Sequence, residues 1–275
     1  MLHRVLKGML GLSLLGSVAA ASGAAPAPLL FGVNEGSSGS IGFSDRQEKY
    51  KPLADHLSKV LKRTVTLESA SDLKNLTKSL DTARYGLLLV RPSHISAKAM
   101  RDQKYVLVAA AKGDAIAHFI VHKDSPLKQP SDLKGKSIVM PDDIAYPTWV
   151  GLAMLRDIGI GKEQAAIRNF RSQEAVGYAV EQKLSDVGVV ISYSKVAKDW
   201  TAKGHRFLWE SKKLPYWSVI GSPKLAADEV AKIREALLKL DQGDAGQKIL
   251  KEIGVKGFVR GDQAAYLDML KWVGY

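Results

Sequence analysis

The amino-acid sequence predicts an α/β protein of two lobes with a ligand cleft between them. Short apolar runs of strand type alternate with amphipathic helical segments over residues 29–117, which form the predicted first part of lobe 1. The same alternation resumes over residues 118–213, the predicted lobe 2. Residues 214–275 then return to lobe 1 with one more strand and three helices. Strands that alternate with helices in this way favour parallel sheets covered on both faces.

The N-terminal residues 1–24 have the pattern of a secretory signal peptide. Arg4 and Lys7 precede an apolar stretch from Met9 to Ala21, and small residues follow it. This stretch is shorter than the roughly 20 residues that a transmembrane helix needs. We therefore expect cleavage just after it and a periplasmic location for the mature protein, with an uncleaved anchor as the alternative.

The composition narrows the class of protein further. Cysteine is absent, so disulfides, thiolate catalysis and cysteine-based metal sites are excluded, and the fold must be stabilised by its core. The formal net charge is +12, which suits anionic solutes or anionic membrane partners. The lysines are spread over predicted helix faces and no nucleic-acid-binding pattern occurs, so we expect no nucleic-acid partner.

Several segments, taken in order, carry a resemblance to a known family. They are YKPLADHLSKVLKR, YGLLLVRPSH, DSPLKQPSDLKGKSIVMPDD and EQKLSDVGVV, and the third, which connects the two alternations, is the most specific. Together they resemble the phosphate, phosphite and phosphonate type (phosphonate-binding-protein-like) of periplasmic solute-binding protein. The resemblance covers the chain from about Leu29 to its C-terminus. It implies a two-lobed type II periplasmic-binding-protein fold that closes on a small ligand and delivers it to an ABC permease.

The resemblance is closer for the fold than for the ligand. Phosphonate-binding members typically carry Ser-Thr-Ser-Gly at the start of a helix in the second lobe, where hydroxyl and N–H groups hold the phosphonate oxygens. Here the same place reads Ile144, Ala145, Tyr146, Pro147 and Thr148, so one hydroxyl remains and proline removes one N–H. We therefore predict a small anionic ligand, either phosphonate or oxyanion-like or another organic anion.

Candidate ligand-binding residues of the first lobe follow two predicted strands. In open α/β sheets ligands bind at the carboxyl ends of strands. Asn34 and Ser37 follow the first strand, and Arg91 and Ser93 follow the strand GLLLV. The guanidinium of Arg91 can donate two parallel N–H bonds to a carboxylate or oxyanion. An ion pair with a carboxylate of the first lobe is the alternative role for this arginine.

Candidate residues of the second lobe lie at predicted helix starts and at a strand end. Tyr146, Thr148 and Trp149 begin one helix, and Arg171 and Ser172 begin the next. The positive end of the helix dipole repels an arginine at a helix N-terminus. An anion bound between them would reduce this repulsion.

Aromatic residues at the lobe junction are the last candidates. Tyr193 follows the strand DVGVVI, and with Tyr146, Trp149 and Trp217 it can form an aromatic wall for a ligand with a flat or methylated part. Packing at the hinge is the alternative role for these rings.

These observations predict a monomeric, non-enzymatic solute-binding protein without a metal or other cofactor. A sensory input protein for a membrane histidine kinase is the first alternative, because its sequence would look the same. An enzyme on the same fold is the second alternative. It would need an acid and base or an activated nucleophile at the strand ends, and neither a GxSxG nor an HExxH pattern occurs.

Overall fold

A computed structural model describes residues 26–36, 43–70 and 73–274, so the predicted signal peptide and Ser37 lie outside the described residues. The strands are, in chain order, β1 (Leu29–Asn34), β2 (Val65–Ser69), β3 (Leu87–Val90), β4 (Val106–Ala111), β5 (Ala117–Val121), β6 (Ser137–Met140), β7 (Ala166–Asn169), β8 (Val187–Ile191), β9 (Arg206–Glu210), β10 (Ser218–Gly221) and β11 (Phe258–Val259). The α-helices are α1 (Phe43–Leu61), α2 (Leu73–Asp81), α3 (Ser93–Asp102), α4 (Tyr146–Asp157), α5 (Gln173–Glu181), α6 (Lys195–Trp200), α7 (Ala227–Leu238), α8 (Asp244–Ile253) and α9 (Gln263–Val273). Within the described ranges, none of the helices has both the length and the apolarity that crossing a membrane requires.

The strands form two sheets, one of six strands and one of five. Five strands of the first sheet, read as β2-β1-β3-β10-β4, repeat the arrangement of the second sheet. The first sheet has the order β11-β4-β10-β3-β1-β2, and the second has the order β7-β6-β8-β5-β9. In the first sheet β1 lies between β2 and β3 and is parallel to both. In the second sheet β6 lies between β7 and β8 and is likewise parallel to both. Each sheet therefore has a parallel half, with the carboxyl ends of its strands at one edge.

Each sheet also contains an inserted antiparallel strand, which the alternation of strands and helices did not predict. β10 pairs antiparallel with β3 and β4, and β5 pairs antiparallel with β8 and β9. Both strands reach their sheet through a short connection from the other sheet. A helical crossover, which makes neighbouring strands parallel, is missing from these two connections.

The return segment contains two strands where the sequence predicts one. After β10, the two residues of β11 pair antiparallel with the end of β4. So short a strand has no periodicity of its own, and its pairing partner is more than 140 residues earlier in the chain, which explains why the sequence pattern missed it.

Alternating side chains of single strands face different parts of the core. In β3, Leu87 and Leu89 pack in one apolar cluster, together with α1, α7 and α8. Leu88 and Val90 face the opposite side and belong to a second cluster. This alternation is the period of two expected for a strand that is buried on both faces.

The second apolar cluster is shared by the two sheets. It contains Leu88 of β3, Phe119 of β5 and Val189 of β8, with Tyr146 of α4 and Tyr266 of α9. The lobes therefore meet through continuous apolar packing as well as through the chain connections between them.

The C-terminal helix α9 reinforces this contact. It packs against both α3 and α4. The indole Nε1 of Trp272 donates to Asp157 Oδ2 at 2.7 Å, and Arg156 donates to the Trp272 carbonyl at 2.7 Å. Tyr266 also donates to the Tyr216 carbonyl in the return connection at 2.8 Å. Thus α9 joins α4, which follows a strand of the second sheet, to the elements of the first sheet.

Gly188 in β8 is predicted to be essential for packing α5 on the second sheet. A Cβ at this position would lie 2.7 Å from Val176 Cγ1 and 3.0 Å from both Ile120 Cγ1 and Val180 Cγ2. We expect Gly188→Ala to lower the free energy of unfolding by about 1–3 kcal/mol, because the closely packed interior cannot absorb the methyl group. Urea unfolding measures this, with Gly243→Ala as the control because a Cβ there meets nothing within 4 Å. Equal stability of the two variants would contradict the prediction.

Candidate ligand-binding site

The carboxyl ends of β1 and β3 lie side by side, with Asn34 in register with Val90. Asn34 is fully buried, and its side chain shapes the connection that leaves β1. Its Nδ2 donates to the Ala70 carbonyl, and its Oδ1 accepts from the Gly36 N–H at 2.9 Å. The Asn34 carbonyl accepts from the Arg91 N–H at 3.0 Å. This predicted ligand residue therefore holds together the strand ends from which the site is built.

A buried carboxylate surrounded by cations lies at this edge, and we call Glu35, Arg46, Lys49, Tyr50 and Arg91 the Glu35 cluster. Glu35 is 3% exposed. Its Oε1 lies 2.7 Å from Arg91 Nη2, 2.8 Å from Lys49 Nζ and 2.7 Å from the Tyr50 hydroxyl. The Arg46 Nε lies 3.9 Å from Oε2. Three cationic side chains thus lie within 4 Å of one carboxylate in a nearly buried place.

The pKa shifts in this cluster follow from burial and charge. Burial alone would raise the pKa of Glu35, but the charge of Arg91 and the hydrogen bonds from Lys49 and Tyr50 outweigh it, so the pKa is lowered. Burial lowers the pKa of Lys49, and the neighbouring charges of Arg91 and Arg46 lower it further, against the favourable effect of Glu35. The carboxylate therefore stays ionised, while the cations repel one another.

Aromatic rings hold the Arg91 side chain in position. Its guanidinium carbon lies 3.9 Å from the centre of the Trp217 ring, a cation–π contact. Trp217 stacks on Tyr216, with ring centres 5.1 Å apart. Tyr193, which follows β8 of the second sheet, contacts Trp217 edge-on at 5.7 Å. The charge of Arg91 opposes the rise in the pKa of Tyr193 that burial causes. The predicted arginine therefore lies where the two lobes meet.

A second contact between the lobes lies one helical turn beyond Arg91. His94 of α3 stacks on Tyr146 of α4, with ring centres 5.3 Å apart and planes 8° apart. The His94 Nε2 lies 3.2 Å from the Ile144 carbonyl. The adjacent Ser93 hydroxyl lies 2.8 Å from the Pro215 carbonyl oxygen, to which it donates. The predicted residues Ser93 and Tyr146 thus lie in the junction of the lobes.

At the start of α4, the predicted Thr148 hydroxyl is bonded to the backbone just before the helix. The helix begins at Tyr146, so Pro147 is its second residue. The Thr148 hydroxyl lies 2.9 Å from the Asp142 carbonyl and 3.1 Å from the Pro141 carbonyl, so its one proton is donated to the backbone. Trp149 is half-buried and packs against the core shared by the two sheets.

The structure places the remaining predicted residues apart from the Glu35 cluster. Ser172 caps α5, where its side chain accepts from the Ala175 N–H at 3.3 Å. Arg171 is exposed just before it, after β7 at one edge of the second sheet. Among the contacts found between described residues, none joins Arg171 or Ser172 to the Glu35 cluster. Of the predicted aromatic wall, Tyr193 and Trp217 are in contact, and Tyr146 stacks on His94 instead.

Sequence reasoning missed most of the Glu35 cluster. Lys49 and Tyr50 follow Arg46 on α1 by three and four residues. All three therefore share the helix face that reaches the end of β1. Charged residues at such spacing usually form a solvated helix face, and only the position of Tyr50 in the apolar pattern indicated that this face is buried. Within the described parts of the chain, no group of three or more His, Asp or Glu side chains is placed to hold a metal ion.

Comparison with protein families gives a match over most of the chain. Residues 44–266 match the family described as the periplasmic substrate-binding protein of a phosphonate ABC transporter. The chain belongs to this family. Family membership makes it a periplasmic substrate-binding protein of ABC transporters and confirms the resemblance seen in the sequence. The family binds a small ligand, works with an ABC permease and implies a periplasmic location. Among curated proteins, none matches this chain significantly.

Solved structures similar to this family member share its two-lobed type II fold. XAC2383 from Xanthomonas citri, bound to ATP, has a TM-score of 0.76 and 16% identity, covering 90% of this chain and 97% of that one. PhnD1 from Prochlorococcus marinus, in complex with methylphosphonate, has a TM-score of 0.73 and 13% identity, covering 89% and 96%. The aliphatic sulphonate binding protein SsuA from Escherichia coli has a TM-score of 0.59 and 15% identity, covering 89% and 84%. The predicted fold class is therefore confirmed.

The position of His94 between the lobes predicts a loss of stability in acid. Burial lowers its pKa from 6.5 to about 4, against a smaller opposite effect of the Ile144 carbonyl. The unfolded chain therefore binds the proton more tightly than the folded one. The free energy of unfolding should be unaffected by this group above pH 6.5. It should fall by up to about 3 kcal/mol as the pH drops from about 6.5 towards 4.

Urea unfolding of the wild type and of His94→Phe at several pH values between 8 and 5 measures this effect. Phenylalanine keeps a ring to stack on Tyr146 but cannot be protonated, so the variant should lose this part of the pH dependence. At pH 8 the imidazole is neutral in both states, and that value serves as the reference. An unchanged pH dependence in the variant would show that His94 is not responsible.

Proposed function

We propose that this substrate-binding protein captures a small anion, either phosphonate or oxyanion-like or another organic anion, at the Glu35 cluster. The observation that carries the proposal is that two nearly buried cations, Lys49 and Arg91, share the single carboxylate of Glu35. Keeping several cations out of water is costly unless each has a counter-charge. A bound anion adds negative charge beside Lys49 and Arg91, so the cluster gains more from an anion than from a neutral or cationic solute.

The arrangement of Arg91 supports this choice of ligand. Its side chain is 10% exposed, and it is held from one side by Glu35 and from another by the Trp217 ring. Because the guanidinium is already held in place, it loses little conformational entropy when it donates paired N–H bonds to an oxyanion. Lys49 offers a second charge on the same carboxylate, and its side chain is 18% exposed.

We propose that the ligand acts by stabilising the closed arrangement of the lobes. Tyr193 from the second lobe contacts the Trp217 ring on which Arg91 stacks, and Tyr146 contacts His94 close by. A ligand between Arg91 and Tyr193 would contact both lobes, and it would therefore shift the population towards the closed form. The permease then receives the closed, loaded protein.

The remaining parts of the proposal concern the other predicted residues and the setting in the cell. The other ligand residues expected from the sequence stay predictions; they are Asn34, Ser37, Ser93, Tyr146, Thr148, Trp149, Arg171 and Ser172. We take residues 29–117 with 214–275 as one lobe and residues 118–213 as the other.

We further propose that residues 1–24 are cleaved as a signal peptide and that the mature protein is a monomer without enzymatic activity. On this proposal its partner is the permease, and a sensor kinase is the alternative.

The relatives suggest which anions to test first. The solved structures include complexes with methylphosphonate and with ATP, and a protein named for aliphatic sulphonates. Thermal unfolding of the purified mature protein with methylphosphonate, phosphite, phosphate, alkyl sulfonates, ATP and carboxylates should raise the melting temperature for the ligands that bind the folded state. ³¹P spectra of the phosphorus ligands after incubation should remain unchanged, and turnover of any of them would refute the non-enzymatic proposal.

The role of Arg91 is tested by Arg91→Gln with the anion that gives the largest shift. We expect the affinity, measured by isothermal titration calorimetry, to fall at least about tenfold, because a buried partner of the anion is lost. Arg260→Gln is the matched control, since the Arg260 side chain is 70% exposed and lies 3.5 Å from Glu235. Circular dichroism confirms that both variants fold. A folded Arg91→Gln protein with wild-type affinity, or a wild type that binds no anion, would refute the proposed site.

A further inference from the structure

We propose that Glu35 makes this site selective for oxyanions that retain a proton, such as phosphonates, against permanently ionised ones, such as sulfonates. The inference rests on the proposed function and adds a specificity-determining residue to it. Glu35 directly follows the predicted ligand residue Asn34, and its position within the cation cluster is the observation that suggests this role.

The geometry brings a bound anion against the Glu35 carboxylate. Arg91 Nη2 and Lys49 Nζ lie 2.7 Å and 2.8 Å from its Oε1, and Arg46 Nε lies 3.9 Å from its Oε2. All three cations thus lie within 4 Å of the same carboxylate. An anion that binds two of these cations lies beside Glu35, and we infer that one of its oxygens faces the carboxylate.

The charge state of Glu35 decides what this contact requires. Although burial opposes ionisation, Arg91, Lys49 and Tyr50 together lower the pKa of Glu35 below its usual value. It is therefore a carboxylate at neutral pH, and an ionised carboxylate can only accept hydrogen bonds. A ligand oxygen that faces Glu35 must donate a proton, or two negatively charged oxygens meet in a nearly buried place.

Phosphonates and sulfonates differ in this property while sharing a tetrahedral shape. The second acid group of a phosphate or phosphonate titrates close to neutral pH, so the monoanion keeps one P–OH group. This hydroxyl can donate a short, charge-assisted hydrogen bond to Glu35 while the other oxygens accept from Arg91 and Lys49. A sulfonate has lost its only acidic proton, so none of its oxygens can face Glu35 favourably.

The simpler explanation is that Glu35 only holds the two arginines and the lysine in place. In that case its removal would weaken the binding of every anion to the same extent. The two explanations therefore differ in the ratio of affinities for two anions of the same shape, and in the proton balance of binding.

Isothermal titration calorimetry with methylphosphonate and methanesulfonate separates the two. We expect the wild type to bind methylphosphonate at least about tenfold more tightly, the usual effect of one hydrogen bond to a charged group. At pH 8, titrations in buffers of different ionisation enthalpy should show net proton uptake with methylphosphonate and none with methanesulfonate. The proton uptake follows because the bound form is the monoanion while the free ligand is mostly the dianion.

Glu35→Gln keeps the shape of the side chain but adds an amide N–H that can donate to a sulfonate oxygen. We expect the preference for methylphosphonate to fall at least about tenfold in this variant, with proton uptake lost. Glu68→Gln is the matched control: Glu68 accepts from the Tyr85 hydroxyl at 2.9 Å and from Arg84 at 2.8 Å, outside the Glu35 cluster. It should keep the wild-type ratio.

Several outcomes would overturn the inference. These are equal binding of both anions by the wild type, the absence of proton uptake with methylphosphonate, or an equal loss of both affinities in a folded Glu35→Gln protein. If that variant does not fold, the wild-type ratio and proton uptake decide alone. A folded wild type that binds neither anion would refute the proposed function itself, which is a different result from equal binding of both.

Discussion

The contact on which the site depends is the ion pair between Glu35 and Arg91, with Lys49 and Tyr50 on the same carboxylate oxygen. A buried carboxylate must be compensated by charge and hydrogen bonds. The groups that compensate the charge of Glu35, at the end of β1, come from the first turns of α1 and from the end of β3. Arg91 in turn stacks on Trp217 in the connection that returns from the second sheet. One electrostatic requirement thus positions four segments that are far apart in the chain.

The same residues lie next to the contacts between the lobes. Three residues after Arg91, His94 stacks on Tyr146, and Tyr193 contacts the ring that carries Arg91. The apolar core shared by the sheets and the helix α9 continue this contact behind the site. Binding at the Glu35 cluster, as proposed, would therefore be coupled by direct packing to the relative position of the lobes.

The charge in the proposed site comes from side chains of the first lobe. At the start of α4 the Thr148 hydroxyl donates to the backbone, and Pro147 carries no N–H. We infer that buried cations take over the anion-holding task that a serine- and threonine-rich helix start performs in phosphonate-binding members of the family. Such a site would depend on charge more than on hydroxyl geometry, which is why we propose that the Glu35 carboxylate influences which anion is accepted.

Sequence reasoning predicted the alternation of strands and helices, the connection between two lobes and the placement of Arg91 and Tyr193 at strand ends, because periodicity and turn residues are local properties. It left open whether Arg91 forms an ion pair, and it did not indicate the antiparallel β5 and β10. The three-dimensional fold shows the ion pair of Arg91 and the antiparallel strands. It also brings together the Glu35 cluster, whose members lie up to 56 residues apart in the chain. Partners of charges and hydrogen bonds are chosen by proximity in three dimensions, and only the folding of β1, α1 and β3 together brings them within reach.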